Sequence, residues 1–79
     1  MKKYIRSSQV IVGDDYPEID EGAKVWLNRR VLNDGESPVK YFVSDLSKGY
    51  CLLADNKAMY REGRGYIYSI WNIEKYQVF

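Results

Sequence analysis

The sequence predicts a small all-β domain of five to six antiparallel strands with an amino-terminal extension. Three observations carry that expectation. Six glycines and two prolines cut 79 residues into short runs, and those runs are rich in the β-branched and aromatic side chains that suit a pleated, half-buried surface. Several runs alternate at period two, and nothing in the chain sustains a helical heptad, a repeat or a low-complexity tract.

The first strand is expected over Tyr4 to Val12, followed by a polar loop, GDDYPEIDEG. Ala23 to Leu32 reads as a half-buried strand, with Ala23, Val25, Leu27 and Val31 on one face and Lys24, Trp26, Asn28 and Arg30 on the other. The Asp-Gly pair within NDGESP turns the chain into Val39 to Ser44, where Val39, Tyr41 and Val43 alternate with Lys40, Phe42 and Ser44. A second polar break, DLSKG, precedes YCLLA, whose continuous apolar run fits a strand covered on both faces.

Beyond the ADNK turn, Lys57 to Glu62 is compatible with strand, helical turn or loop, and EGRG after it is a flexible bend. Tyr66 to Trp71 is expected to be a strand, with Tyr66, Tyr68 and Ile70 on one face and Ile67, Ser69 and Trp71 on the other. Ile73 and Tyr76 stand one helical turn apart, so a 3₁₀ turn is expected there before a short last strand.

The order EGAKVWL, polar hairpin, KYFVSD, KGYCLLAD, GRGYIYSI and NIEKYQVF resembles the SH3-like small β-barrels, including the KOW and Tudor-type modules. The resemblance covers roughly residues 22–79 and rests on strand spacing and turn placement. It implies a glycine-led first strand, three meandering strands, a 3₁₀ turn and a short closing strand, and it transfers no binding residues. The chain is then one domain, 1–79, with a core barrel at about 22–79 and a strand and acidic loop in 1–21. The competing fold is an α+β sheet with one short helix around residues 55–62.

Seventy-nine residues leave room for one small core, since at this size only about 60% of the chain's surface is buried on folding. The chain is 46% hydrophobic and 29% charged, too apolar for disorder and too polar for a membrane protein. MKKYIRSSQVIV has a charged opening but a three-residue apolar run, so no secretory signal is expected. A single cysteine, Cys51, excludes an internal disulfide and agrees with a cytoplasmic location. With no histidine and one cysteine, no zinc site, Cys-His dyad or Ser-His-Asp triad can be assembled in one chain. The expectation is therefore a non-enzyme, with no catalytic residues, metal or cofactor.

Charge is polarised. Asp14, Asp15, Glu18, Asp20 and Glu21 form an acidic loop, which leaves six acids against twelve basic residues elsewhere, a net of +6. The loop lacks the acid spacing and glycine of an EF-hand; it reads either as a solvated segment or as a mimic of phosphate charge. Basic residues beside rings hold single-stranded nucleic acid, cations tracking phosphates while each ring stacks on a base for about 1–3 kcal/mol. Trp26, Tyr60, Tyr66, Tyr68 and Trp71 are such rings, although a core this small also needs them for packing. The candidate partner-binding residues are Arg61, Arg64, Tyr66, Tyr68 and Trp71, with Arg29 and Arg30. The opening MKKYIRSS resembles small accessory proteins of bacteriophages and mobile elements. The favoured function is protein binding, in an inhibitor-like role; a nucleic-acid-binding module is the alternative, no membrane partner is expected, and self-association through an edge strand stays open.

Overall fold

The computed structural model describes residues 3–6 and 19–78. Six strands form one antiparallel sheet: β1 (Lys3–Arg6), β2 (Lys24–Leu27), β3 (Val39–Asp45), β4 (Tyr50–Ala54), β5 (Tyr66–Ser69) and β6 (Ile73–Val78), in the order β1-β6-β2-β3-β4-β5. One short helix, α1 (Lys57–Arg61), joins β4 to β5, and single 3₁₀ turns occupy Arg29–Val31, Ser47–Gly49 and Ile70–Asn72. The described residues are thus arranged mainly as strands with one short α-helix, combining the all-β expectation with the short helix of its competitor. Among the described residues no ladder joins β1 to β5, so strand pairing does not close the sheet into the expected barrel. Of the expected first strand, residues 7–12 lie outside the described residues, as do Asp14, Asp15 and Glu18 of the acidic loop.

One face of the sheet is the core. Val25, Leu27, Phe42, Cys51, Leu53, Ile70 and Ile73 are almost fully buried, with Ala23, Ile19 and Tyr76 beside them. Burial of each large apolar side chain contributes on the order of 1.5–3 kcal/mol. Directly opposed residues in antiparallel strands share a face, so the pairs Phe42 with Leu53 and Cys51 with Tyr68 line the core side. The outer row runs from Ser44 through Leu52 to Ile67.

Four expectations are corrected. β2 stops at Leu27 rather than Leu32, because the Asn28 amide donates to the Asn72 carbonyl at 2.8 Å and the next residues wind into a 3₁₀ turn. Val31 consequently leaves the core face and is exposed. β4 is not covered on both faces: Cys51 and Leu53 are buried, Leu52 is half-buried and Tyr50 is exposed. β5 ends at Ser69, whose Oγ accepts from the Trp71 amide at 3.3 Å. That bond starts the 3₁₀ turn at Ile70–Asn72, so Ile73 to Tyr76 is regular strand instead.

The ambiguous stretch after β4 is helical because Asn56 caps it, its Oδ1 accepting from the Met59 amide at 2.8 Å. Tyr60 of α1 lies against Gly22, where an added Cβ would meet the phenol oxygen at 3.0 Å. This half-buried ring packs on the turn at Gly22.

Candidate partner-binding site

The loop from Asn28 to Pro38 is built as a rigid flap. Glu36 donates its amide to the Asn33 carbonyl at 3.0 Å, and its Oε1 accepts from the Asn33 amide at 3.0 Å. Gly35 takes the left-handed conformation this Asp-Gly turn requires, φ 79°. At the loop's far end the Leu27 amide bonds the Pro38 carbonyl at 3.0 Å, and the half-buried Leu32 packs on the core.

Lys40 fastens this flap to the rest of the sheet. It stands opposite Val25 on the core side of β3 and is only 3% exposed. Its Nζ donates to Glu36 Oε2 at 2.8 Å and to Asp55 Oδ1 at 2.8 Å, joining the loop to the turn after β4. Burial by itself would lower the lysine's pKa, but the hydrogen bonds it donates to Asp55 and Glu36 outweigh burial and raise it. Glu36 is held below the ordinary carboxylate range, chiefly by its bond to Lys40.

Beside this network lies a groove of about 300 Å³ lined by Val31, Asn33, Glu36, Asp55, Tyr66 and Tyr68. Tyr68 is half-buried and its phenol pKa is raised, first by burial and then by the Glu36 and Asp55 charges, with Lys40 opposing. Tyr66, by contrast, is 56% exposed. A second hollow of about 380 Å³ on the loop's other flank shares Asn33 and Glu36 and adds Arg29, Leu32, Asp34, Gly35 and Pro38.

The sequence-derived candidates therefore divide. Tyr66 and Tyr68 line the groove. Arg29 and Arg30, expected on a strand, sit exposed in the 3₁₀ turn after β2. Trp71 is brought near that turn through Asn28, whose Nδ2 reaches the Trp71 carbonyl at 3.5 Å, and its ring is exposed. Arg61 and Arg64 belong to α1 and the bend after it; both are exposed, and Arg64 pairs with Glu62 at 3.0 Å. Asp20 and Glu21 are exposed. Trp26 carries the Lys75 ammonium 4.9 Å from its ring centroid on the opposite face of the sheet.

Sequence reasoning missed Val31, Asn33, Glu36, Lys40 and Asp55. The available signal was Lys40 itself, a charge at the same period-two position as Phe42. Among the described residues no group of three or more potential metal ligands occurs, and no helix is long and apolar enough to cross a membrane. No protein-family model, curated protein or solved structure matches the chain.

Proposed function

We propose that the protein works by binding another protein, without catalysis, and that the groove beneath the Asn28–Pro38 flap receives the partner. The observation that carries this reading is the groove's construction, in which two tyrosines flank carboxylates locked on Lys40 by 2.8 Å bonds. Tyrosines are enriched among the residues that dominate binding energy, and a preorganised wall lowers the ordering cost of association. The nucleophile candidates nearby are held protonated: Lys40 by its acids, Tyr68 by burial, and Cys51 by burial that lifts its thiol to about 12.

The SH3-like reading of the fold belongs to this proposal. It is supported by the glycine that leads β2, the β3–β4–β5 meander, the 3₁₀ turn at Ile70–Asn72 and the return of β6 to pair with β2. An inhibitor-like use of the acidic loop draws support from the exposure of Asp20 and Glu21.

The exposed Arg29, Arg30 and Trp71, gathered around Asn28, favour a second reading, contact with single-stranded nucleic acid. Affinity capture with wild-type, Tyr66→Ala and Arg29→Ala/Arg30→Ala proteins separates the two. Protein capture lost in Tyr66→Ala, at an unchanged unfolding midpoint, supports the groove; capture that survives removes it. Oligonucleotide binding that weakens with salt by about −0.7 per neutralised phosphate, and fails in the double arginine variant, supports the second reading.

A further inference from the structure

We infer that β5 is a homodimerisation edge, on which a second copy of this chain pairs antiparallel about a two-fold axis through Ile67. Among the described residues β4 is the only ladder neighbour of β5. The strand reads Tyr-Ile-Tyr-Ser; it is short, at four residues, but it holds no proline, lysine or inward charge to blunt its edge. Ile67 is 66% exposed, the most exposed of the large hydrophobic residues described. An unprotected apolar edge is a template for another strand.

The register selects a copy of the same chain as the occupant. A two-fold axis normal to the sheet keeps each face continuous, so opposed residues must have numbers of equal parity. Centred on Ile67, the pairing sets Ile67 against Ile67 of the second copy and Tyr66 against its Tyr68. On the outer face this extends the Leu52–Ile67 row into an apolar stripe of four side chains, two from each copy. On the core face it stacks tyrosine on tyrosine at both ends, at the roughly 4.5–5.5 Å Cβ spacing where aromatic pairs contribute. No charge meets its like, because the strand carries none. The alternative centre at Tyr68 would set Ile67 against a serine and require Ile70, which is buried in the 3₁₀ turn, to pair as strand.

This inference stands on the strand edge and its register; the dimer shares Tyr66 and Tyr68 with the groove, whereas Ile67, the residue its test changes, does not line it. Its test is sedimentation of the full chain across a concentration series, with Ile67→Lys and with two probes that each add one exposed cysteine to the buried Cys51, under mild oxidation. Wild type is expected to pass from monomer to dimer, and Ile67→Lys to raise the dissociation constant at least about tenfold by opposing two ammonium groups, with a near-native unfolding midpoint. Ile67→Cys is expected to form a disulfide dimer, since the axis puts its Cα atoms within bridging range. Tyr50→Cys, equally on the outer face but on β4, should not. Wild type that stays monomeric at its highest soluble concentration, a dimer that Ile67→Lys leaves intact, or equal cross-linking of both probes overturns the inference.

Discussion

Lys40 Nζ and Asp55 Oδ1 lie 2.8 Å apart across the β3–β4 pair, with Glu36 Oε2 at the same distance on the other side. A charge on the core face is thereby made compatible with folding, and it decides how the flap is oriented. The partners are unequally placed: the lysine is 3% exposed while Glu36 is 25% and Asp55 40% exposed. Removing Asp55 leaves the buried ammonium with Glu36 alone; removing the lysine leaves carboxylates that water can reach.

The stability consequence is asymmetric. Asp55→Ala is expected to cost about 2 kcal/mol, below the cost of breaking a fully buried pair because Asp55 retains solvent contact. Lys40→Met keeps the volume and removes the charge, and should fall within about 1 kcal/mol of wild type. Urea unfolding of both variants checks the order; a Lys40→Met loss larger than that of Asp55→Ala contradicts it.

The pH dependence follows from the same groups. Cys51, Tyr68, Tyr76 and Lys40 all have pKa values raised by the fold, so their contributions are complete below the unfolded values of 9.0, 10.0, 10.0 and 10.5 and are lost as pH rises through the folded ones. Glu36 is depressed below 4.5, so its contribution is present above that value and disappears as pH falls through the lower, folded pKa. Thermal midpoints should be level across neutral pH and decline first on the alkaline side from about pH 9, where the Cys51 window, 9.0 to about 12, opens. Cys51→Ala should move that onset upward toward pH 10, the tyrosine range. An onset unmoved by the substitution assigns the alkaline limb to other groups.

Where local spacing and tertiary burial agree, the sequence was readable. Val25 and Leu27 alternate with Lys24 and Trp26 and are the two buried residues of β2. The Asp-Gly turn and the final β-rich half were likewise visible, because turn chemistry is local. Lys40 was not, since nothing near it in sequence reveals that Asp55, fifteen residues on, will meet it. β2 outran its true end for a similar reason: Asn28 leaves the strand to bond Asn72, 44 residues away. The helix at Lys57–Arg61 was undecided because Ala58, Met59 and Tyr60 suit several conformations, and Asn56 at the cap settles it.

Two glycines next in sequence to groove residues, Gly35 before Glu36 and Gly65 before Tyr66, are constrained by different physics, which makes them separable by substitution. A Cβ on Gly65 would stand 2.6 Å from the Leu53 carbonyl oxygen and 2.8 Å from its carbon, a clash with backbone that only a shift of β5 relieves. Gly35 has open space around it, and its constraint is φ 79°. Gly35→Ala should therefore cost about 1–2 kcal/mol, the left-handed penalty alone. Gly65→Ala should cost more and disturb β4–β5 pairing, seen as lost amide-exchange protection at Leu52 and Leu53. Equal costs would mean that the close approach at Gly65 relaxes freely.

The turn at Ile70–Asn72 gives the sharpest contrast between neighbouring side chains. Ser69 ends β5 by accepting from the Trp71 amide, which turns Ile70 into the core at 1% exposure and Trp71 outward at 52%. Regular strand would have set the two on opposite faces as well, but without closing the chain back to β6. Ile70→Ala should cost about 2–5 kcal/mol as a large-to-small core substitution, and Trp71→Ala within about 0.5 kcal/mol as a surface one. Ser69→Ala removes the bond that starts the turn and should cost about 1 kcal/mol. If Trp71→Ala destabilises as strongly as Ile70→Ala, the ring is needed for folding and leaves the list of partner-binding residues. If it is silent in unfolding yet weakens oligonucleotide binding, the Arg29–Arg30–Trp71 surface is functional.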